Sequence, residues 1–322
     1  MRFDLGQEQR DFAASIDAAL GAADVPSAVR AWSAGNTEPG RQVWKQLAEL
    51  GVTALAVPEE FDGIDAHPVD LVVAVERLGR WCVPGPVVES IAVAPVLLAG
   101  QGERLAGLAA GELIATVALP PQVPRAVDAD SAGLVLLAGG DGVQVAQAGT
   151  PHASVDPSRR LFDVAVDPAA GESWTADVAR AYEFGALATA AYLVGAGQAM
   201  LDIAVDYAKQ RTQFGRVIGS YQAIKHKLAD IHIALELARP LVYGAALSLA
   251  DRSPDTARDV SAAKVAASDA ALLAAHSALH THGAIGFTAE HDLSLWLLKV
   301  QALRSAWGDP TAHRRRVLEA IR

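Results

Sequence analysis

The densest set of ligand-suited groups lies in Arg211-Thr212-Gln213-Phe214-Gly215-Arg216-Val217-Ile218-Gly219-Ser220-Tyr221-Gln222. Arg211 and Arg216 carry permanent charge on forked donors whose geometry suits a pyrophosphate. Gln213 and Gln222 add neutral donors and acceptors. Glycines at 215 and 219 allow the backbone to approach another group closely. The same residues also suit a plain helix–helix loop with solvated arginines, and on the residues alone both readings stand.

Other constellations carry less. His276 and His280 sit i,i+4 on a helix, but no Glu follows as in His-Glu-x-x-His and no third ligand stands out, so no metal site is expected. Gly195-Ala196-Gly197 lies inside a helical window rather than after a strand, which makes it a packing feature and not a dinucleotide loop. Ser277 and His280 are neighbours in sequence only, which says nothing of a triad. Cys82, the single cysteine, excludes an intrachain disulfide and reads as packing in a reducing, cytoplasmic setting.

The elements that must position these groups read as mostly α. Residues 1–110 are expected to form a helical domain, with helices over Gln7–Leu20, Arg41–Leu50 and Val69–Trp81. Gly51 stops the second of these, and Val83-Pro84-Gly85-Pro86 breaks the third. Residues 111–172 change texture: short apolar runs at Leu113–Leu119 and Gly133–Leu137, then Val143–Ala146 after Gly139-Gly140-Asp141-Gly142, predict a small β domain containing a hairpin. Residues 173–322 return to helix over Ala176–Gln210, Tyr221–Asp251, Ala257–His282 and Glu290–Ala306, a four-helix bundle with nearly all-round apolar windows.

Composition narrows the function classes. A formal charge of −10 argues against nucleic acid as partner, yet leaves room for one phosphorylated cofactor held by local arginines. Arg314-Arg315-Arg316 suits the negative end of a final helix dipole. No uninterrupted apolar run approaches the roughly 18 residues of a membrane span, and Met1–Gln7 shows no signal-peptide pattern.

With these residues on the page, the chain resembles the acyl-CoA dehydrogenase family. Arg211-x-Gln213-Phe214-Gly215-Arg216-x-Ile218-Gly219-x-Tyr221-Gln222, followed by Lys225-His226-Lys227-Leu228-Ala229-Asp230, is similar to that family's signature. His282-Gly283-Ala284-Ile285-Gly286-Phe287-Thr288-Ala289-Glu290 resembles its Gly-rich segment, with His280 where glutamine is usual and Ala284 in place of a glycine. Gly51–Phe61 and Glu76–Arg80 agree more loosely with the first helical domain. The resemblance implies FAD as cofactor, bound mainly to an adjacent subunit and contacted from here by Arg211, Gln213, Phe214, Gln222, His280, Gly283 and Ala284.

The resemblance also exposes a loss. The family removes an acyl-CoA α proton with a carboxylate while the β hydride passes to flavin, and its two alternative base positions correspond here to Gly185 and Trp307. Neither accepts a proton. Glu183 should face elsewhere on its helix, and Asp309 before Pro310 reads as an N-cap. The middle domain lacks the Thr-Glu-Pro and Gly-Ser-Asp segments that hold the flavin ring. Together these losses imply a division of labour: an α2β2 acyl-CoA dehydrogenase, of the bacterial kind that acts on steroid side-chain CoA esters, in which a related chain supplies ring pocket, base and acyl-CoA cleft. Two other readings stay open, a homomeric enzyme with a displaced base at Glu183 or Asp309 and a non-catalytic scaffold.

Overall fold

A computed structural model describes residues 5–166 and 171–322. Residues 1–4, part of the segment read for a leader, and 167–170, where sheet was expected to give way to helix, lie outside the described residues. Six helices come first: α1 (Gln7–Ala22), α2 (Val25–Ser33), α3 (Glu38–Glu49), α4 (Pro68–Arg80), α5 (Ala94–Leu97) and α6 (Gly102–Ala109). Their limits follow local chemistry. Asp24 caps α2 by accepting from the Ser27 amide at 3.2 Å, and Gly51, at φ +77°, terminates α3 in the left-handed conformation.

A small sheet follows, built from β1 (Ala115–Ala118), β2 (Ala126–Val127), β3 (Leu134–Gly139), β4 (Gly142–His152), β5 (Leu161–Ala165) and β6 (Ser173–Thr175). The strand order is β1-β3-β4-β5-β2, with β6 also pairing β4, and only β1 and β3 run parallel. The hairpin between β3 and β4 closes Gly139 against Gly142, with Gly140 at φ +60°. β2, β5 and β6 escaped the sequence reading because two to five residues are too few to show a period. A buried ion pair fastens this region to the helices: Lys299 Nζ lies 2.8 Å from Asp156 Oδ2 and 2.9 Å from Ser158 Oγ.

The rest is helical except for one short ribbon: α7 (Val178–Gln210), β7 (Thr212–Gln213), β8 (Arg216–Val217), α8 (Gln222–Ala250), α9 (Thr256–His282), α10 (Leu293–Ser305) and α11 (Pro310–Ala320). α7 is the central rod. It crosses α4 at very short range, since a Cβ added at Gly79 would lie 2.1 Å from the Tyr192 carbonyl oxygen and one at Gly195 1.8 Å from that of Glu76. The Gly195-Ala196-Gly197 run is therefore a packing device, as its place in a helix implied. Buried Glu76 ties the same crossing to α8 by accepting from Arg77 (2.7 Å), Arg239 (3.1 Å) and the Tyr243 hydroxyl (3.3 Å).

The expectation about apolar length needs correction. α7 and α8 are both long and apolar enough to span a membrane by length and composition. Sparse polar residues interrupt their apolar runs without lowering the mean hydropathy much. In α7 that character serves burial, 94% of its most apolar window being inside the protein. α8 is only 39% buried over its window and presents Ile233, Leu237 and Leu241 outward at i,i+4,i+8, one face of the helix.

Candidate functional site

Three helix ends meet at one pole of the bundle. α7 ends at Arg211, whose amide reaches the Tyr207 carbonyl at 2.9 Å and whose own carbonyl accepts from Ile218 at 2.8 Å. In place of the expected loop there is a tight β hairpin, Thr212 pairing Val217 and Gln213 pairing Arg216. Its turn residues Phe214 and Gly215 have φ +53° and +78°, the type I′ requirement. Left-handed backbone costs a bulky residue about 1–2 kcal/mol, yet Phe214 is 93% exposed, so burial among the described residues does little to offset it. Arg216 spends its charge over the Tyr221 ring at 3.9 Å, while Tyr221 Oη donates to the Gln213 carbonyl at 3.2 Å. Arg211, Gln213 and Gln222 are exposed, and Arg211 has no acidic partner among the described residues.

The glycines of this segment divide their work differently from the expectation. Gly215 serves the turn, with nothing near a Cβ placed there. Gly219 lets the hairpin pack on its own helix, because a Cβ there would sit 2.9 Å from the Ala208 carbonyl oxygen.

The second segment lies at the same pole. α9 stops at Gly283, φ +67°, and a 3-10 turn runs from Gly283 to Phe287. His280, Gly283 and Ala284 are exposed, as is Phe287 at 74%. Lys227 Nζ on α8 stands 3.1 Å from His280 Nδ1, which joins the two motifs directly. His282 stacks on Tyr207 at 4.3 Å and donates from Nδ1 to the Ala278 carbonyl at 2.8 Å. Burial lowers its pKa, and its Nε2 is buried with no hydrogen-bond partner among the described residues. Among the described residues, an unpaired guanidinium and two exposed phenyl rings on one pole suit an anionic nucleotide cofactor covered from outside.

The opposite holds at the two positions that the resemblance pairs with the base. Gly185 is on α7 and Trp307 follows α10, and the two touch: a Cβ added at Gly185 would lie 2.3 Å from Trp307 Cε3. Trp307 is 1% exposed and donates from Nε1 to Glu89 Oε1 at 3.1 Å. Glu89, which opens a π-helical turn after α4, had no sequence signal to mark it, and Arg159 approaches the same oxygen at 3.5 Å. The displaced-base candidates are committed elsewhere. Glu183 pairs with Arg316, and Asp309 caps α11 by accepting the Ala312 amide at 2.8 Å, a bond that holds its carboxyl below the usual range.

The order of helical domain, small sheet and long bundle, with ligand-suited groups at the bundle's end, defines a helical flavoenzyme fold. Residues 6–107 match the model of the acyl-CoA dehydrogenase N-terminal domain and residues 159–321 that of the C-terminal domain. The Mycobacterium tuberculosis protein acyl-CoA dehydrogenase IpdE2 is 34% identical over 280 residues, covering 84% of each chain. Among solved structures, the ChsE4-ChsE5 complex from Mycobacterium tuberculosis superposes with a TM-score of 0.84 at 22% identity, over 100% of this chain and 99% of that one. The Tcur3481-Tcur3483 steroid ACAD also gives 0.84 at 22% identity, over 99% and 98%. This chain belongs to the acyl-CoA dehydrogenase family, whose cofactor is FAD.

Proposed function

We propose that this chain is one subunit of a cytoplasmic, heterotetrameric α2β2 acyl-CoA dehydrogenase, and that it completes an FAD site whose ring pocket, base and acyl cleft belong to a related partner chain. Arg211, Gln213, Phe214, Gln222, His280, Gly283 and Ala284 are the residues that would hold the cofactor across the interface. FAD, when bound, supplies the hydride acceptor. This chain's residues would neutralise and orient it: Arg211 would offer its forked charge to the diphosphate, the glutamine amides would donate beside it, and Phe214 would cover apolar surface and keep water out. No proton is removed by this chain.

The observation that carries the reading is that Gly185 and Trp307 occupy each other's space, while the cationic pole lies open. The neighbours' two-protein assemblies, ChsE4-ChsE5 and Tcur3481-Tcur3483, support a related chain as partner, and the second supports a steroid CoA ester as substrate class.

The test is co-expression with a longer acyl-CoA dehydrogenase chain from the same genome. The expected complex is yellow and reduces an electron acceptor in the presence of an acyl-CoA, whereas the lone chain is colourless and inactive. A lone chain that is yellow and turns over acyl-CoA overturns the proposal in favour of a homomer. A stable but colourless complex points to a scaffold.

A further inference from the structure

The segment carrying Trp307 is held harder than a helix-to-helix link requires. Trp307 itself has φ +56°, a conformation that costs a bulky residue and persists only where its surroundings impose it. Three side chains hold the segment so. Tyr182 Oη donates to the Trp307 carbonyl at 3.2 Å, and His313 Nε2 meets the same oxygen at 2.8 Å while its Nδ1 faces Ser261 Oγ at 3.1 Å. Burial pushes His313 down to about 4, so the ring is neutral at physiological pH and serves as a donor at Nε2. Lys264, fully buried, donates to the carbonyls of Leu303 (3.2 Å), Arg304 (3.1 Å) and Gly308 (3.3 Å). Gly308 must be glycine, with φ +94° and Tyr182 Oη and His313 Nε2 both 2.6 Å from any added Cβ. The outcome of this clamp is one thing: the six-membered ring of the indole is laid flat on the bare backbone of Gly185, with its N–H satisfied by Glu89.

We infer that Trp307 is a built-in plug, an intramolecular occupant that closes this chain's own cleft to any acyl thioester. The inference rests on the reading of this chain as the subunit without a base, and it adds a cause: the cleft is filled, not merely unarmed. What stays open beside the indole is a cavity of about 280 Å³ lined by Gln122, Arg159, Gln301, Ser305 and Trp307 among others, at the low end of the roughly 300–1,000 Å³ of ordinary ligand pockets. Removing the indole leaves a slot between Gly185 and Glu89 shaped for a flat aromatic molecule with one N–H donor.

The probe is indole itself, added to the full-length chain and followed by thermal melting. Trp307→Gly is expected to melt about 10 °C below the native chain, to recover several degrees in millimolar indole, and to do so only if Glu89 is present. The native chain, its slot filled, does not respond. A Trp307→Gly variant that melts with the native chain, or that ignores indole, overturns the plug. Should that variant not fold, Gly185→Leu answers the same question. Alone it is expected to destabilise, and combined with Trp307→Ala it is expected to cost less than the sum of the two single changes; additive losses overturn the inference. Since all these measurements use the lone chain without flavin, they stand or fall separately from the heteromer, whose failure would appear as a yellow, active lone chain.

Discussion

At the scale of single residues, Arg211 separates a binding role from a structural one. Its side chain is exposed and without an acidic partner among the described residues, so nothing in the chain's own stability depends on it. Replacing it with alanine is expected to leave the melting temperature within about 1 °C, because surface changes usually stay within ±0.5 kcal/mol. Flavin retention in the assembled complex is expected to fall by roughly 10- to 100-fold, the loss of one charge-assisted contact of about 1.5–3 kcal/mol. Equal flavin content in the Arg211→Ala and native complexes, measured by absorbance per protein, would remove Arg211 from the site. The arginine, its glutamines and the missing carboxylates were all legible in the sequence, because they are statements about residue type. Glu89, Lys264 and His313 were not. Their roles come from contacts spanning 218, 44 and 52 positions respectively, and no local pattern encodes such pairings.

At the scale of elements, the long helices could be read because their apolar windows and punctuating glycines and prolines are local features. The β7–β8 hairpin could not, since two-residue strands carry no period and its turn places Phe, not Asn or Gly, at the first left-handed position. Small residues in α7 were legible as packing, but only the crossing with α4 shows how little space they leave. Gly195→Ala sets a methyl against the Glu76 carbonyl at 1.8 Å. Backbone cannot yield as a flexible side chain does, so the expected cost is about 3 kcal/mol or more, read as a lower urea midpoint with an unchanged slope. Gly244→Ala, where a Cβ meets nothing, is the control and is expected to be neutral or stabilising. A Gly195→Ala chain as stable as the control would mean that the crossing is looser than described.

At the scale of the whole molecule, one flank of the bundle is apolar and open among the described residues. Ile233, Leu237 and Leu241 line α8, and Leu237 is 69% exposed. In the proposed heterotetramer this stripe would be a place for the related chain to pack. Leu237→Asp is expected to leave the lone chain's stability unchanged and to weaken co-purification with the partner at least 10-fold, since burying an unpaired carboxylate is costly. Size-exclusion of the co-expressed pair decides it; undiminished assembly would place the interface elsewhere.

The sequence by itself determined the family, the helical framework, the cation-bearing segment that suits a flavin diphosphate, and the absence of a carboxylate at positions 185 and 307. Each is a matter of residue type at short, ordered spacing. Only the tertiary structure decided that Gly185 and Trp307 are one place, with the indole lying on the glycine. A residue's type says what it cannot do, but which volume it fills depends on chain segments 122 positions apart being packed together, and that is a property of the fold.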